Sequence, residues 1–302
     1  MNAHRTQLAD GRWHFQHGPI DIVIGANGHP AAVHCAHEHA WKRFSEILDE
    51  LVQELVQLRR PVRGACPVRS PIARRMWQAC QPYQSGFITP MAAVAGAVAQ
   101  ELIASYAHRG VTRAWVNNGG DIALHLAPGQ SVRIGLYADI ARLDSKELRG
   151  GIHTDGAFEV SSQLPVRGVA TSGWRGRSFS MGIADSVTVL ARTASEADAA
   201  ATVIANAVDV FDARIVRRPA CELKDDSDLG ALPVTVDVPP LEPVLVRQAL
   251  HAGLRRAQAL RAAGLIWSAA LVCQNQMLST DTAGSTTLAS QSASKQLGLL
   301  FA

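Results

Sequence analysis

The stretch TASEADAAATVIANAVD, from Thr193 to Asp209, constrains this chain more than any other. Its apolar positions are alanine, valine and isoleucine only. A helix of such small residues sits close to whatever covers it, so it belongs tightly against a sheet. Three polar side chains interrupt it, Asp198, Thr202 and Asn206, each four residues after the last. Four residues is just over one turn, so the three share a face. Aspartate is a poor helix former and threonine is β-branched, so this line is not the cheapest way to make a helix. An Asp and a Thr one turn apart can both reach a hard cation, which prefers oxygen ligands. The plain alternative is an exposed polar stripe, or Thr202 bonding back to its own helix. Thr193 and Glu196 have the T-x-x-E spacing of a capping box and mark the start.

The rest of the composition narrows the class. A chain of 302 residues, 47% hydrophobic and 18% charged, has ample material for a large core. Lys plus Arg number 29 against 26 Asp plus Glu, a net charge of +3, which argues for neither nucleic acid nor a membrane surface as partner. The five cysteines are odd in number, widely spaced and without a CxxC, so neither a disulfide framework nor a structural zinc site is expected. MNAHRTQLADGRWHF has no apolar core of signal-peptide length, and MAAVAGAVAQELIA meets Gln100 and Glu101 too soon to span a bilayer. A cytoplasmic protein with reduced thiols is the expectation.

Along the chain, WHFQHGPIDIVIGA breaks at Gly18-Pro19 and reads as a hairpin, with Ile20, Ile22 and Ile24 on one face. HEHAWKRFSEILDELVQELVQLRRP places Trp41, Phe44, Leu48, Leu51, Leu55 and Leu58 at helical spacing, closed by Pro61. Ser70-Pro71 and Thr89-Pro90 each look like an N-cap followed by proline at the first helical position. TRAWVNNGGDIALHL is strand, tight turn, strand. SVRIGLYA, VRGVATSG, DSVTVLA and LIWSAALVC read as further strands, and the polar stretch from Asp139 to Ser162 as loops. LEPVLVRQALHAGLRRAQALRAAG is an amphipathic helix. These elements predict an α+β fold, a single domain over 1–275 with mixed or antiparallel sheets packed against helices, and a flexible Ser/Thr/Ala-rich tail over 276–302.

Four segments carry candidate chemistry. The Asp/Thr helix is the first. In VNNGGDI, Gly119 and Gly120 allow positive φ and close backbone approach to a ligand, and Asp121 can take ligand hydroxyls or hold a cation. Standing alone the segment reads first as a type I′ hairpin turn, for which Asn-Gly is the favoured dipeptide. ATSGWRGRSFSMG supplies hydroxyls at Thr171, Ser172, Ser178 and Ser180, cations at Arg175 and Arg177, and amides near Gly173, a set suited to an anion. No Walker loop and no G-x-G-x-x-G occurs. HCAHEHAW clusters His34, His37 and His39 with Cys35 where a strand is expected to hand over to a helix. Their directions should diverge there, which favours surface histidines over a metal site.

Taken in order, VNNGGDI, ATSG, SVTVLA and EADAAAT resemble the ApbE superfamily of magnesium-dependent flavin transferases, and more closely an uncharacterised bacterial and archaeal branch related to it. The resemblance runs from about Trp13 to Asp209. It implies an ApbE-like fold, with Asp198 and Thr202 as ligands of Mg2+ and with FAD near the Gly119-Gly120-Asp121 turn and the Thr171-Ser172-Gly173 segment. TPMAAVAGAVAQ stands where that family has an earlier helix lending a backbone carbonyl to the metal. The family's lysine before the glycine is missing from Ala93-Val94-Ala95-Gly96. The His-containing, Pro-x-Thr-Gly-like segment that follows TSG in the transferases is also absent, since WRGRSFSMGIA contains neither histidine nor proline.

The combined expectation leans to an enzyme. Its cleft would join the GGD turn, the TSG loop and the Asp/Thr helix, and would take an anionic, flavin-nucleotide-like small molecule. Asp121, Asp198 and Arg177 are the candidate catalytic groups. Asn118, Gly119, Gly120, Thr171, Ser172, Gly173, Arg175, Ser178, Ser180 and Asn206 are the candidate ligand contacts. Hydrolysis or ring opening of another metabolite, a non-catalytic cofactor binder, and a homo-oligomer with the polar stripe in an interface are the competing readings.

Overall fold

Short-range signals build most of the elements. In the computed structural model, which describes residues 2–136, 156–281 and 300–301, the first strands are β1 (His4–Gln7), β2 (Trp13–His17) and β3 (Ile20–Gly28). Gly18 turns the β2–β3 hairpin at φ 56°, and Ile22 and Ile24 are fully buried on one face of β3. Next come the helices α1 (Pro30–Gln53), α2 (Pro71–Cys80) and α3 (Val94–Ile103). β4 (Val111–Asn118) and β5 (Asp121–Leu126) follow, then β6 (Ser131–Leu136) and β7 (Gly156–Ser161), then β8 (Gly168–Ser172) and β9 (Ser186–Ala191). The remainder is α4 (Ala194–Ala207), β10 (Val216–Pro219), β11 (Pro233–Asp237), α5 (Pro243–Ala262), β12 (Ser268–Cys273), β13 (Gln276–Ser279) and β14 (Leu300–Phe301). The architecture is α+β.

The chain forms two compact units, each drawn from three separate stretches, so neither is a simple half of the sequence. The first comprises residues 1–131, 161–170 and 190–199. Its strands β1 to β5 pair antiparallel in sequence order, and β5 pairs antiparallel with β8 through Ile122↔Val169. Helix α1 packs on β2 and β3, and α3 on β4 and β5. Phe15 and Phe44 are fully buried, with ring centroids 5.3 Å apart. Burial of each such ring contributes roughly 1.5–3 kcal/mol. Arg5 lies 5.2 Å from the ring centroids of both Trp13 and Trp41 and pairs with Glu38, closing the edge of this cluster. Of the predicted helical stripe, Phe44 and Leu51 are buried on α1, which ends at Gln53 and not at Pro61, and Leu58 is buried on a separate short helix, Leu55–Leu58.

The second unit comprises residues 132–160, 171–189 and 200–302. Here β12 and β13 form a hairpin whose two turn residues, Gln274 and Asn275, both take positive φ, 44° and 64°. β10 pairs with β11, and β14 runs parallel to β6. Helix α5 packs on β12 and β13. Gly253 of α5 lies where a Cβ would strike the side chains of Val208 and Leu271, so only glycine permits that approach.

The structure revises several local expectations. Helix α1 begins at Pro30, so His34, Cys35, His37 and His39 all lie on it and none on a strand. The signal was Pro at the first helical position. Thr89 does not cap α3 with its side chain: a 3-10 turn over Pro90–Ala93 comes first. Gly156–Ser161, expected within loops, is a strand. The loops expected over 139–155 lie outside the described residues. LIWSAALVC is followed by another strand, because Gln276–Ser279, assigned to the tail, pair back on it. The tail over 282–299 lies outside the described residues.

Candidate functional site

In the first unit, three segments meet at one peptide bond. The Asn118 side-chain amide donates to the Ala95 carbonyl at 3.2 Å, and the Gly96 N–H donates to Asp198 Oδ2 at 2.9 Å. That carbonyl and that N–H belong to the single peptide linking Ala95 to Gly96. Those residues lie in the first turn of α3, where backbone amides lack partners within the helix. Helix α3 has no side-chain cap of its own, so Asp198 of α4 caps it from a distance in sequence of 102 residues.

Small residues make this approach possible. A Cβ on Gly96 would overlap the Ala194 carbonyl and come within 2.9 Å of the Asp198 Cβ. A Cβ on Gly168 in β8 would overlap the Thr193–Ala194 backbone. The start of α4 is thus held against glycines of two elements. Its own cap is half of a capping box. The Glu196 N–H donates to Thr193 Oγ1 at 3.3 Å, while the Glu196 carboxylate turns to Arg192. Ser195 Oγ donates to Gln100 at 2.7 Å and ties α4 to α3 a second time.

The GGD segment is a two-residue hairpin loop. Asn118 pairs with Asp121, and Gly119 and Gly120 take φ values of 68° and 108°. Positive φ at both positions is the type I′ arrangement that glycine favours. The Gly120 N–H donates to Asn117 Oδ1 at 2.8 Å, stiffening the turn. Asn118 and Asp121 are both buried, each 8% exposed.

Burial raises the Asp198 carboxyl to about 7, against the pull of the Gly96 and Ala95 amides, which favour the charged form. Among the described residues no arginine or lysine pairs with it. A carboxylate held by amides alone is short of positive charge. Thr202 lies one turn further along the same helix.

In the second unit, the TSG segment leads into a turn. Gly173 fits against the Asp185 carbonyl, where a Cβ would overlap. The Trp174 N–H donates to the Ala184 carbonyl at 3.0 Å, and the Gly176 N–H to the Gly173 carbonyl at 3.2 Å. Trp174 and Arg175 are therefore the central pair of a turn, and Arg175, Arg177 and Ser178 are exposed. Thr171 and Thr188 share a hydrogen bond of 2.9 Å. Asn206 Oδ1 accepts from Ser180 Oγ at 3.1 Å and from the Met181 N–H at 2.9 Å. Ser180 Oγ also accepts from the Gly182 N–H at 3.2 Å. These bonds give Asn206 and Ser180 a structural role, which is to hold the end of the loop onto α4.

The family model described as AbpE bacteria matches residues 5–280. The chain belongs to that family. Among curated proteins, the UPF0280 protein of Methanopyrus kandleri is 40% identical over 170 residues, covering 55% of this chain and 63% of its own length. The UPF0280 protein of Methanospirillum hungatei is 38% identical over 126 residues, 41% of this chain and 47% of its own. The chain spans less than two thirds of the length of these relatives. A solved structure, the flavinyl transferase ApbE of Pseudomonas stutzeri in its apo form, aligns over 93% of this chain and 94% of its own, with a TM-score of 0.40 and 13% identity.

The AbpE bacteria chain thus brings together, within its first unit, Asn118 and Asp198, with Asp121 paired to Asn118 across the hairpin. Thr171, Ser172, Gly173, Arg175, Arg177, Ser178, Ser180, Thr202 and Asn206 lie in the second unit. Sequence reading passed over Ala95 as a specific acceptor, and over Trp174 and Asp185. Trp174 Nε1 donates to Asp185 Oδ1 at 3.3 Å, and the Arg175 guanidinium lies 3.5 Å from the same oxygen. The aromatic residue directly after TSG was the available signal.

The histidine cluster resolves into separate roles. His37 is buried and its Nδ1 lies 2.7 Å from the Tyr106 hydroxyl. Burial lowers its pKa to about 4, so it is neutral. His34 and His39 are exposed. No group of three or more metal-ligating side chains occurs among the described residues. Among those residues, too, no helix is long and apolar enough to cross a membrane.

Proposed function

We propose that this chain binds an anionic, flavin-nucleotide-like small molecule and a divalent cation, with Asp198 and Thr202 as the cation's oxygen ligands. The observation that carries this reading is the Ala95–Gly96 peptide, gripped by Asn118 on one side and Asp198 on the other. It joins the GGD hairpin, the alanine-rich helix and the Asp/Thr helix at one place, and those are three of the segments on which the family resemblance rests. The residues present fit a hard cation: the donors are carboxylate and hydroxyl oxygens, and Asp198 has no cationic partner among the described residues. Bound magnesium would supply polarisation of a phosphoryl oxygen.

The chain's own groups do the rest. Asn118 holds the Ala95–Gly96 peptide whose N–H meets Asp198. Gly119 and Gly120 keep the hairpin free of side chains. Asp121, buried at the hairpin's end, accepts from a ligand hydroxyl. In the second unit, Arg175, Arg177 and Ser178 form an exposed anion-binding set after TSG. A second reading is favoured by residues 174–184, which hold no histidine and no proline. Without the transferases' segment, hydrolysis or ring opening of a small metabolite stands beside flavin transfer.

Equilibrium dialysis with FAD and FMN, with and without magnesium, followed by chromatography of the bound material, tests the reading. Magnesium-dependent retention of either supports it. Failure to retain either under any metal condition removes the flavin part. Retention without any product over time assigns the chain to the cofactor binders.

A further inference from the structure

We infer that the turn carrying Phe211 is the anchor of a contact between two copies of this chain related by a twofold axis.

Phe211 is 92% exposed, a large aromatic ring with almost none of its surface covered. The turn beside it is nonetheless rigid. Asp212 Oδ1 accepts the Arg214 N–H at 2.9 Å, and both carboxylate oxygens accept from the Arg214 guanidinium, at 3.0 and 2.8 Å. The Asp212 carbonyl accepts the Ile215 N–H at 3.1 Å. Asp209, two residues before Phe211, pairs with Arg217 of β10. A ring presented by a turn that is already fixed gives up little freedom when it binds. Aromatic and arginine residues together are where interfaces concentrate their binding energy.

Phe211 is not isolated. Arg214 also holds Glu242 at 2.6 Å, which draws the turn to the start of α5. Val244, in the first turn of α5, is 60% exposed, and Val216, at the start of β10, is 46% exposed. All of these residues belong to the second unit. Three uncovered apolar side chains therefore flank one ion cluster. A single exposed apolar residue is ordinary, whereas a group of them rimmed by charge marks an interaction surface.

A second copy of the chain is the partner this surface fits. Its rim carries both signs, Asp209, Asp212 and Glu242 against Arg214 and Arg217. A twofold contact sets a patch against itself, so a rim of one sign would repel and a mixed rim can pair. An extended peptide adding to β10 fits less well. Among the described residues β10 pairs with β11 alone, but it carries Arg217 and Arg218 and ends in Pro219. Charge and proline blunt an edge against strand addition. The contact is therefore between folded faces, through side chains.

Sedimentation of the full chain between about 1 and 100 µM reads the association directly. The expected result is a monomer–dimer equilibrium within that range. Phe211→Ser and Val244→Glu should each weaken the dimer at least about tenfold, while Phe211→Tyr, which keeps the ring, should stay within about threefold of the wild type. Because Phe211 lies outside the core, Phe211→Ser should melt with the wild type, which separates a lost contact from a lost fold. A wild type that remains monomeric throughout, or wild-type dimerisation in either weakened variant, would overturn the inference.

Discussion

Asn118 and Asp198 hold opposite sides of the same peptide bond, between Ala95 and Gly96, from a hairpin and a helix 80 residues apart in the chain. The arrangement gives Asp198 two roles. It caps a helix that has no cap of its own, and it keeps a carboxylate without a cationic partner among the described residues.

Those roles conflict in a way that pH reveals. The folded-state pKa of Asp198 is raised from 3.8 to about 7, so the folded protein binds more protons than the unfolded chain between those values. Stability therefore falls as pH rises through this window, and the destabilisation is fully present above about pH 7. Asp198→Asn keeps an oxygen for the Gly96 amide and removes the charge. It should raise stability at pH 8 by about 1 kcal/mol, a melting-point gain of about 2–4 °C, with little gain at pH 4. Thermal melts of both proteins at the two pH values check this. An equal effect at both would mean that charge is not the cause.

Gly96 is required by distance and not by backbone conformation, since its absent Cβ is what lets α4 approach α3. Gly96→Ala should cost about 1–3 kcal/mol, as overpacked cores do. Urea denaturation should show the loss as a lower midpoint with an unchanged slope. Gly168, whose Cβ would meet the same turn of α4, should behave like Gly96.

His37 works in the opposite sense from Asp198. Its folded pKa is depressed from 6.5 to about 4, so the unfolded chain takes up the proton first as pH falls. Stability is full above about pH 6.5 and is lost progressively down to about pH 4. Replacing His37 with Phe should flatten that part of the acid-denaturation curve. Tyr106→Phe leaves the imidazole without its partner and should cost about 1–3 kcal/mol at pH 7.5.

Asn206 is expected to matter for stability and not for ligand affinity. Its carbonyl oxygen serves Ser180 and the Met181 amide, so Asn206→Ala leaves two donors without their acceptor and should cost about 1–3 kcal/mol. FMN affinity of the variant, measured below its melting temperature, should match the wild type. A variant of normal stability that binds tenfold more weakly would return Asn206 to the ligand contacts.

What the sequence disclosed was mostly local. The Gly18 and Gly119–Gly120 turns, the Ser70 cap and the Thr193 cap each depend on neighbours within a few residues, and each forms. The expected cap at Thr89 did not form on α3 because a 3-10 turn over Pro90–Ala93 intervenes, and the Gly96 amide is met by Asp198, which is distant in sequence. The stripe of Asp198, Thr202 and Asn206 was visible as a line on one helix, but its members have different neighbours. Asp198 meets α3, whereas Asn206 meets the loop after TSG. Periodicity gives the shared face and cannot give what stands opposite each residue. The family resemblance linked Asp198 and the alanine-rich helix only through a shared cation, so the direct bond from the Gly96 amide to Asp198 was not foreseen, and it passed over Trp174 because no motif covers that position.

Whether Asp198 and Thr202 hold a divalent cation can be measured without reference to any substrate. Manganese is titrated into the wild type, Asp198→Asn and Thr202→Val, and binding is read by the loss of the free-ion paramagnetic signal. The expected result is one site in the wild type, displaced by magnesium, with affinity at least about tenfold lower in each variant while both remain folded. Equal manganese binding in all three proteins would mean that these two residues do not form the site.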